Sequence, residues 1–217
     1  MIRIAQSGKT NNTIHQITWI IKKIFYNQIW EIPNSDKKIY LTFDDGPIPE
    51  VTLPILDILK QQKALATFFG VGENVYQHPD IHQRILDEGH MVANHTFNHL
   101  SGWKSTSKKY LENIEKANEL IQSNYFRPPY GRISPKQLRC VKDAGYEVIY
   151  WDILSKDYNK SVSPEECLNN VASNLQSGSI ILMHDSLKAK KNVLTVLPKL
   201  LEIIKTKGLE FARVDQL

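Results

Sequence analysis

From residue 38 onward, short apolar runs alternate with longer segments whose apolar residues recur every three or four positions. The short runs predict strands and the longer segments predict amphipathic helices. The predicted strands span residues 38–43, 65–71, 90–94, 124–127, 146–151, 179–184 and 209–214. The predicted helices span residues 50–62, 78–88, 106–122, 134–143, 163–176 and 190–206. Such alternation is typical of βα units around a mainly parallel sheet or barrel.

The first 37 residues do not share this alternation, and we interpret residues 1–37 as an N-terminal helical appendage to the domain at residues 38–217. Apolar side chains recur in the appendage at helical spacing, at Ile14, Ile17, Ile21, Ile24 and Phe25. A helix that packs against the main domain explains this stripe. The alternative is peripheral contact of residues 14–29 with a membrane surface.

Composition and charge limit the kinds of partner that we expect this chain to bind. The net charge of +4 comes from 27 basic and 23 acidic residues, and the lysines are scattered, which disfavours nucleic-acid binding. No apolar run approaches the length of a transmembrane helix, and no secretory signal is visible, so we expect a cytoplasmic location, with the cell envelope as the alternative. Cys140 and Cys167 lie on separate predicted helices, and we expect free thiols.

Candidate chemistry begins where the first strand ends, at Asp44 and Asp45. Two adjacent carboxylates at a buried strand end disfavour each other's ionisation, and a metal ion removes that cost. One carboxylate then ligates the ion while its neighbour serves as a general base. A solvated turn is the plainer interpretation of this pair taken alone.

His95 and His99 follow the end of the third predicted strand. Imidazoles four residues apart can converge on one divalent ion, and Thr96 between them can form hydrogen bonds within the turn that fix the ring orientation. Because Asp45 also follows a strand end, the three side chains can meet in space. Solvated histidines are the alternative.

Two further strand ends carry candidate groups. Arg127 precedes a stiff Pro-Pro-Tyr-Gly loop, in which the N–H of Tyr130 can face a developing oxyanion while Arg127 orients a carboxylate. His184 ends the strand at 179–184 and is a candidate general acid. Asp157 can keep that imidazole protonated. A rigid surface loop, a core histidine and a solvated carboxylate are the respective alternatives.

Five segments, at residues 42–47, 95–99, 127–131, 151–158 and 182–184, resemble in order and chemistry the motifs of the polysaccharide deacetylase family, carbohydrate esterase family four. The resemblance covers about residues 38–214 and implies a distorted, incomplete (β/α) barrel with mainly parallel strands. It also implies that residues 38–217 form a catalytic domain that removes N-acetyl groups from N-acetylglucosamine polymers or oligomers, such as peptidoglycan or chitin-like chains. It further implies one divalent metal ion, with zinc the first choice and cobalt or nickel as alternatives.

The resemblance implies a role for each matching position. The implied catalytic residues are the base Asp44, the acid His184, and Arg127, Asp157 and Tyr130. The implied metal ligands are Asp45, His95 and His99. The implied substrate contacts are Pro129, Tyr130, Trp151, Tyr158 and Leu182, the last of which lines the pocket for the acetyl methyl group.

Two positions depart from the family pattern. Tyr158 stands where relatives commonly carry Trp, and Leu154 stands where they often carry Asp. Both changes bear on substrate preference rather than on the mechanism. Two other functions stay open at this point: hydrolysis of a small non-sugar amide such as an acetylated polyamine, and carbohydrate binding without catalysis.

Overall fold

The computed structural model of the chain describes residues 28–32 and 36–216. The strands in these ranges are β1 (Lys38–Asp44), β2 (Thr67–Gly70), β3 (Met91–Asn94), β4 (Tyr125–Phe126), β5 (Glu147–Val148), β6 (Ile153–Leu154), β7 (Ile180–His184) and β8 (Glu210–Ala212). The helices are α1 (Pro49–Gln62), α2 (Gly72–Gln77), α3 (Pro79–Asp87), α4 (Ser107–Ile121), α5 (Pro135–Asp143), α6 (Pro164–Ala172) and α7 (Lys190–Thr206). Two 3-10 turns lie at Gly102–Lys104 and Pro129–Gly131.

All the strand pairs are parallel, and the sheet runs in the order β5-β4-β3-β2-β1-β7-β6, with β8 beside the start of β1. The sheet curls into a half-barrel with helices outside it. The predicted incomplete barrel of mainly parallel strands is confirmed. Because the strands are parallel, their carboxyl ends meet at one edge, where ligands of such folds gather.

Strand β1 shows how the two sides of the sheet differ. Ile39, Leu41 and Phe43 are fully buried in the core under the helices, while Tyr40 belongs to a second cluster on the opposite side of the sheet. Residues along a strand point alternately to its two sides, so Thr42 and Asp44 share the side of Tyr40. That side holds the polar groups described below.

The pattern missed two elements. Helix α2 lies where no helix was predicted, and β6 (Ile153–Leu154) lies where no strand was predicted. The strand expected at 146–151 is reduced to Glu147–Val148. Two-residue strands form only because a neighbour pairs with them, as Leu154 pairs with Leu182, so no local pattern marks them.

The appendage is described only at residues 28–32, where Ile29 forms a bridge with Ile149 and Glu31 forms one with Ser179. These residues therefore lie against the strands of the main domain, close to the predicted boundary at residue 37. The predicted stripe from Ile14 to Phe25 lies outside the described residues. Within those residues no helix is long and apolar enough to cross a membrane, and Cys140 and Cys167 are both free, as predicted.

Candidate active site

Strand register brings the predicted residues to one edge of the sheet. Asp44 on β1 is paired with His184 on β7 and with Phe69 on β2. Further along the sheet, Asn94 at the end of β3 is paired with Phe126 on β4, the residue before Arg127. The side chains that follow these strands therefore converge, although they are far apart in the sequence.

Asp45, His95 and His99 form a group with the composition of a metal site. One ligand atom from each side chain lies within 4.8 Å of the other two. Asp45 Oδ1 lies 3.2 Å from His99 Nε2 and 3.8 Å from His95 Nε2. Within the part of the chain that the structure describes, this is the one group of three or more such residues close enough to share an ion.

His95 is prepared to act as a ligand. Its Nδ1 lies 2.8 Å from the carbonyl oxygen of Arg127, which identifies Nδ1 as the protonated nitrogen and leaves Nε2 for the Asp45 side. Burial lowers the pKa of His95 to about 4, despite the nearby charge of Asp44, so the ring is neutral near pH 7. The orienting partner is thus the Arg127 carbonyl, whereas the Thr96 hydroxyl accepts a hydrogen bond from the Leu100 N–H.

Asp45 has a left-handed backbone, with φ of 87°. Its carbonyl oxygen accepts a hydrogen bond of 2.7 Å from the side-chain amide of Asn74 on α2. Burial opposes ionisation of the Asp45 carboxyl, but the hydrogen bond from His99 and the neighbouring imidazoles outweigh it and hold its pKa well below the usual range. Asp45 is therefore an anion among imidazoles.

A residue that sequence reasoning left without a role holds the turn after Asp45. Asp185 is buried, and its two oxygens accept hydrogen bonds from the Gly46 N–H at 2.8 Å and the Thr52 hydroxyl at 2.7 Å. A Cβ at Gly46 would collide with the Asp185 carboxyl, so the turn needs glycine. Burial raises the pKa of Asp185 to about 7. Its position directly after His184 was the available signal in the sequence.

The histidine loop is held by the helix that the pattern missed. At the start of α2, the Gly72 N–H donates to the Thr96 carbonyl at 3.0 Å, and the Glu73 N–H donates to the Phe97 carbonyl at 2.7 Å. A Cβ at Gly72 would lie 2.9 Å from the Ala117 side chain, so this close approach also needs glycine. The first-turn N–H groups of α2 thus find their partners in the loop between the two histidines.

Asp44 is held by a fully buried guanidinium. Arg127 Nη1 donates to Asp44 Oδ1 and to the Thr42 hydroxyl, both at 2.7 Å. The other guanidinium nitrogens donate to the carbonyls of Ile149 and Tyr150. Asp44 Oδ2 lies 3.8 Å from His95 Nε2, so the free oxygen of the carboxylate faces the Asp-His-His group.

His184 is held by Asp157, which accepts two hydrogen bonds of 2.7 Å, one from the backbone N–H of His184 and one at its Nδ1. Burial opposes protonation of His184, but the hydrogen bond to Asp157 and its charge raise the pKa of His184 to about 9. Asn192 on α7 donates to the Asp157 carbonyl at 3.0 Å and so holds the loop. The ring of Tyr158 lies edge-on to the His184 ring at 4.9 Å and is partly exposed.

The predicted substrate contacts differ in exposure. Tyr130 is 63% exposed, has a φ of 60° and lies edge-on to His99 at 4.6 Å between ring centroids. Pro129 is buried, and Trp151 is half-buried. A Cβ added at Gly131 would lie 3.1 Å from the Trp151 ring, so Trp151 packs against the loop. Leu182 is buried on β7 and shares a side of the strand with His184, two residues on.

The donor set suits a divalent transition metal. It comprises one carboxylate held as an anion and two imidazoles, of which His95 is neutral and has its second nitrogen bound to a carbonyl. Three protein ligands of this kind leave a position open for water or substrate, as in catalytic zinc sites. The residues present therefore fit the group that the family resemblance implies.

Comparisons with known proteins agree with the motifs. The family model described as polysaccharide deacetylase matches residues 31–149. A peptidoglycan-N-acetylglucosamine deacetylase from Bacillus cereus is 36% identical over 195 residues, which cover 87% of this chain and 91% of that protein. A chitooligosaccharide deacetylase from Azorhizobium caulinodans is 33% identical over 165 residues, which cover 73% of this chain and 78% of that protein.

A solved structure of a deacetylase also resembles this chain. A crystal structure of a peptidoglycan N-acetylglucosamine deacetylase, in complex with 4-naphthalen-1-yl-N-oxidanyl-benzamide, superposes with a TM-score of 0.83. It is 34% identical, and the match covers 92% of this chain and 94% of that one. The likeness therefore extends over the whole barrel rather than over the motifs alone.

Proposed function

Because this chain belongs to the polysaccharide deacetylase family, whose members are hydrolases of N-acetyl amides, we propose that it removes acetyl groups from N-acetylglucosamine units of a glycan. The proposal rests on one juxtaposition at the ends of β1 and β7. A carboxylate held by a guanidinium and an imidazole held by a carboxylate lie on neighbouring strands, beside an Asp-His-His group. Amide hydrolysis needs both a base and an acid, and this edge of the sheet supplies both.

Asp45, His95 and His99 would hold the metal ion, and zinc fits a site of one carboxylate and two imidazoles, with cobalt or nickel as substitutes. A bound divalent ion would supply Lewis acidity and a water whose pKa is lowered toward neutrality. The chain's own part in this is to present Nε2 of His95 and an ionised Asp45 at the open end of the barrel.

Asp44 serves as the general base. Arg127 donates to one carboxylate oxygen and fixes the orientation of the group, while the other oxygen accepts the proton of the attacking water. The backbone N–H of Tyr130, in its left-handed turn, donates to the oxyanion that develops on the amide carbonyl. This donor needs no rearrangement because the Pro-Pro-Tyr-Gly loop is stiff.

His184 serves as the general acid. An amide nitrogen leaves as an amine only if it gains a proton, and the raised pKa of His184 keeps that proton on the ring at neutral pH. Asp157 orients the imidazole through Nδ1, so Nε2 is the nitrogen that delivers the proton. Leu182 and Tyr158, which lie beside His184, line the space for the acetyl group.

The test is acetate release from N-acetylglucosamine oligomers by metal-stripped protein, with and without added zinc. Release that depends on the metal is expected, together with binding of one ion per chain. Binding of one ion without release from any sugar, but with release from an acetylated polyamine, would replace the glycan by a small amide. A chain that binds no metal, or that hydrolyses neither substrate, would overturn the proposal.

A further inference from the structure

A short segment before the first strand is attached to the edge of the sheet, and we call this segment, residues 28–32, the strap. Strands β5 and β6 are the two edges of the sheet. The carbonyl of Ile29 accepts a hydrogen bond of 2.7 Å from the N–H of Tyr150, just after β5. The N–H of Ile32 donates to the carbonyl of Gly178 at 2.9 Å, just before β7. The strap therefore connects the β5 edge with the start of β7, the strand that pairs with β6.

The strap contacts Tyr150 in two ways, through its backbone and through a ring. Ile29 and Trp30 pack in different clusters, as expected for successive residues of an extended segment. The ring of Trp30 stacks on the ring of Tyr150, with 4.2 Å between the centroids and 16° between the planes. Tyr150 is thus held by the Ile29 carbonyl on its N–H and by the Trp30 indole on its side chain.

The backbone that the strap contacts is also the backbone that holds Arg127. Arg127 Nε donates to the carbonyl of Ile149 at 3.2 Å, and Nη2 donates to the carbonyl of Tyr150 at 2.9 Å. The remaining nitrogen, Nη1, donates to Asp44 at 2.7 Å. Because a guanidinium is planar and rigid, the two carbonyls set the direction in which Nη1 points. A shift of residues 149–150 would therefore turn Arg127 away from Asp44.

The ring of Tyr150 also lies beside the loop that carries the proposed oxyanion donor. A Cβ added at Gly131 would lie 3.7 Å from Tyr150 Cε1 and 3.1 Å from the Trp151 ring. The centroids of the Tyr150 and Trp151 rings are 5.9 Å apart. Trp30 therefore stacks on a ring that itself lies against this loop, so the strap supports both the base and the loop from the side away from the cleft.

We propose that Trp30 is a positioning residue for the deacetylation, which acts through Tyr150 to fix the two carbonyls that aim Arg127 at Asp44. The inference rests on the proposed function, because it takes Asp44 as the general base. A small displacement of a catalytic group lowers the rate strongly, even when the change lies far from the reacting atoms. The strap is then part of the catalytic domain in function, although it precedes the first strand.

The kinetic test replaces the stacked ring and leaves the backbone of the strap in place. Trp30→Ala is expected to lower kcat for acetate release about tenfold or more, because the base is displaced. KM should stay within about twofold, because the contacts to the substrate are kept. Trp30→Phe keeps a flat ring over Tyr150 and should retain about half of kcat or more. Both variants should still bind one metal ion per chain.

Phe211→Ala is the matched control. Phe211 is also a partly buried aromatic residue, but it is paired with Ile39 at the start of β1 and packs on the main core. This variant should lose stability in urea, whereas its kcat should change by less than about twofold. If kcat is unchanged in Trp30→Ala as well, the ring only stabilises the fold and the inference is overturned. If Trp30→Ala does not fold, Trp30→Leu takes its place, and a wild-type kcat in Trp30→Leu has the same meaning.

Proton exchange separates this inference from the proposed function, since it needs no acetate release. NMR of the ¹⁵N-labelled protein follows exchange of the Arg127 Nε proton, which is bound to the Ile149 carbonyl, with solvent. Trp30→Ala and Phe211→Ala are compared at urea concentrations that match their free energies of unfolding. Faster exchange in Trp30→Ala supports the positioning role even in a protein that hydrolyses no amide. Equal exchange in the two variants would overturn it even if the wild type is an active deacetylase.

Discussion

Two ion pairs at the site have the same length, and we propose opposite functions for them. Arg127 meets Asp44 at 2.7 Å, and His184 meets Asp157 at 2.7 Å. The fully buried partners are Arg127 and Asp157, whose side chains are both 0% exposed. The partners that face the cleft are Asp44 and His184, with side chains 5% and 13% exposed.

In the proposed mechanism, one kind of contact prepares a base in the first pair and an acid in the second. The buried guanidinium of Arg127 orients Asp44, while the buried carboxylate of Asp157 raises the pKa of His184 and so keeps that imidazole protonated. In each pair the enclosed member orients the member that we propose to act on the substrate. Substitutions at the four positions are therefore expected to differ in their effects on turnover, stability and pH dependence.

The largest effect is expected for Asp44→Asn. The amide keeps the shape of the side chain and can still contact Arg127, but it cannot accept a proton from water, so turnover should fall to background. Metal content, measured by elemental analysis, should stay at the level of wild type because Asp44 is outside the ligand group. Asp80→Asn, an exposed carboxylate on α3, is the control. Loss of metal in Asp44→Asn would contradict its role as the base.

The second-largest effect on turnover is expected for His184→Ala, which removes the proposed proton donor for the leaving amine. Turnover should fall about 10²- to 10⁴-fold, the usual contribution of a general acid. The measurement is steady-state acetate release at saturating metal, checked by circular dichroism for an intact fold. A rate within threefold of wild type would remove His184 from the mechanism.

Arg127→Gln tests the enclosed member of the first pair. It leaves the Asp44 carboxylate buried without its cation, and such losses cost about 3–5 kcal/mol of the free energy of unfolding. Urea titration of the metal-free protein measures this cost. Arg84→Gln, which removes two ion pairs of a partly exposed side chain, with Asp57 and Glu88, should cost about 1 kcal/mol or less for each pair. Equal costs for the two variants would show that the burial of Arg127 is not what strengthens its pair.

The smallest and most specific effect is expected for Asp157→Asn. In wild type, activity should decline as the pH rises through about 9, where His184 loses its proton. Without the Asp157 anion, this alkaline limb should move toward the ordinary histidine pKa of about 6.5. A pH profile of kcat/KM for both proteins measures the shift. An unmoved limb would assign it to another group.

The His184–Asp157 pair also makes the free energy of unfolding depend on pH. The pKa of His184 is higher in the folded chain than in the unfolded one, so the stabilisation is complete below about pH 6.5 and is lost as the pH rises through about 9. Unfolding free energies across that window should fall in wild type and stay flatter in Asp157→Asn.

Much of the site was predictable because strand ends are marked in the sequence. Six of the predicted site residues follow or end an apolar run: Asp44, Asp45, His95, His99, Arg127 and His184. Parallel strands place their carboxyl ends together, so these residues meet at one edge of the sheet. The residues that hold the loops were not predictable in this way. Asn74 and Asp185 meet the Asp45 turn only after the chain has folded. Thr96 was expected to orient the histidine rings, but the Arg127 carbonyl orients the His95 ring, which is a contact over 32 positions.

The sequence by itself determined the alternation of strands and helices, the order of the motifs and the chemistry of each motif, because periodicity and residue type are local properties. Only the tertiary structure decided the strand register that sets Asp44 beside His184, the short pairing of β6, and the hydrogen bond from the Gly102 N–H to the Arg132 carbonyl. These three features depend on contacts between distant parts of the chain. Such contacts form through packing and through hydrogen bonds between backbone groups that every residue carries, so no local pattern records them.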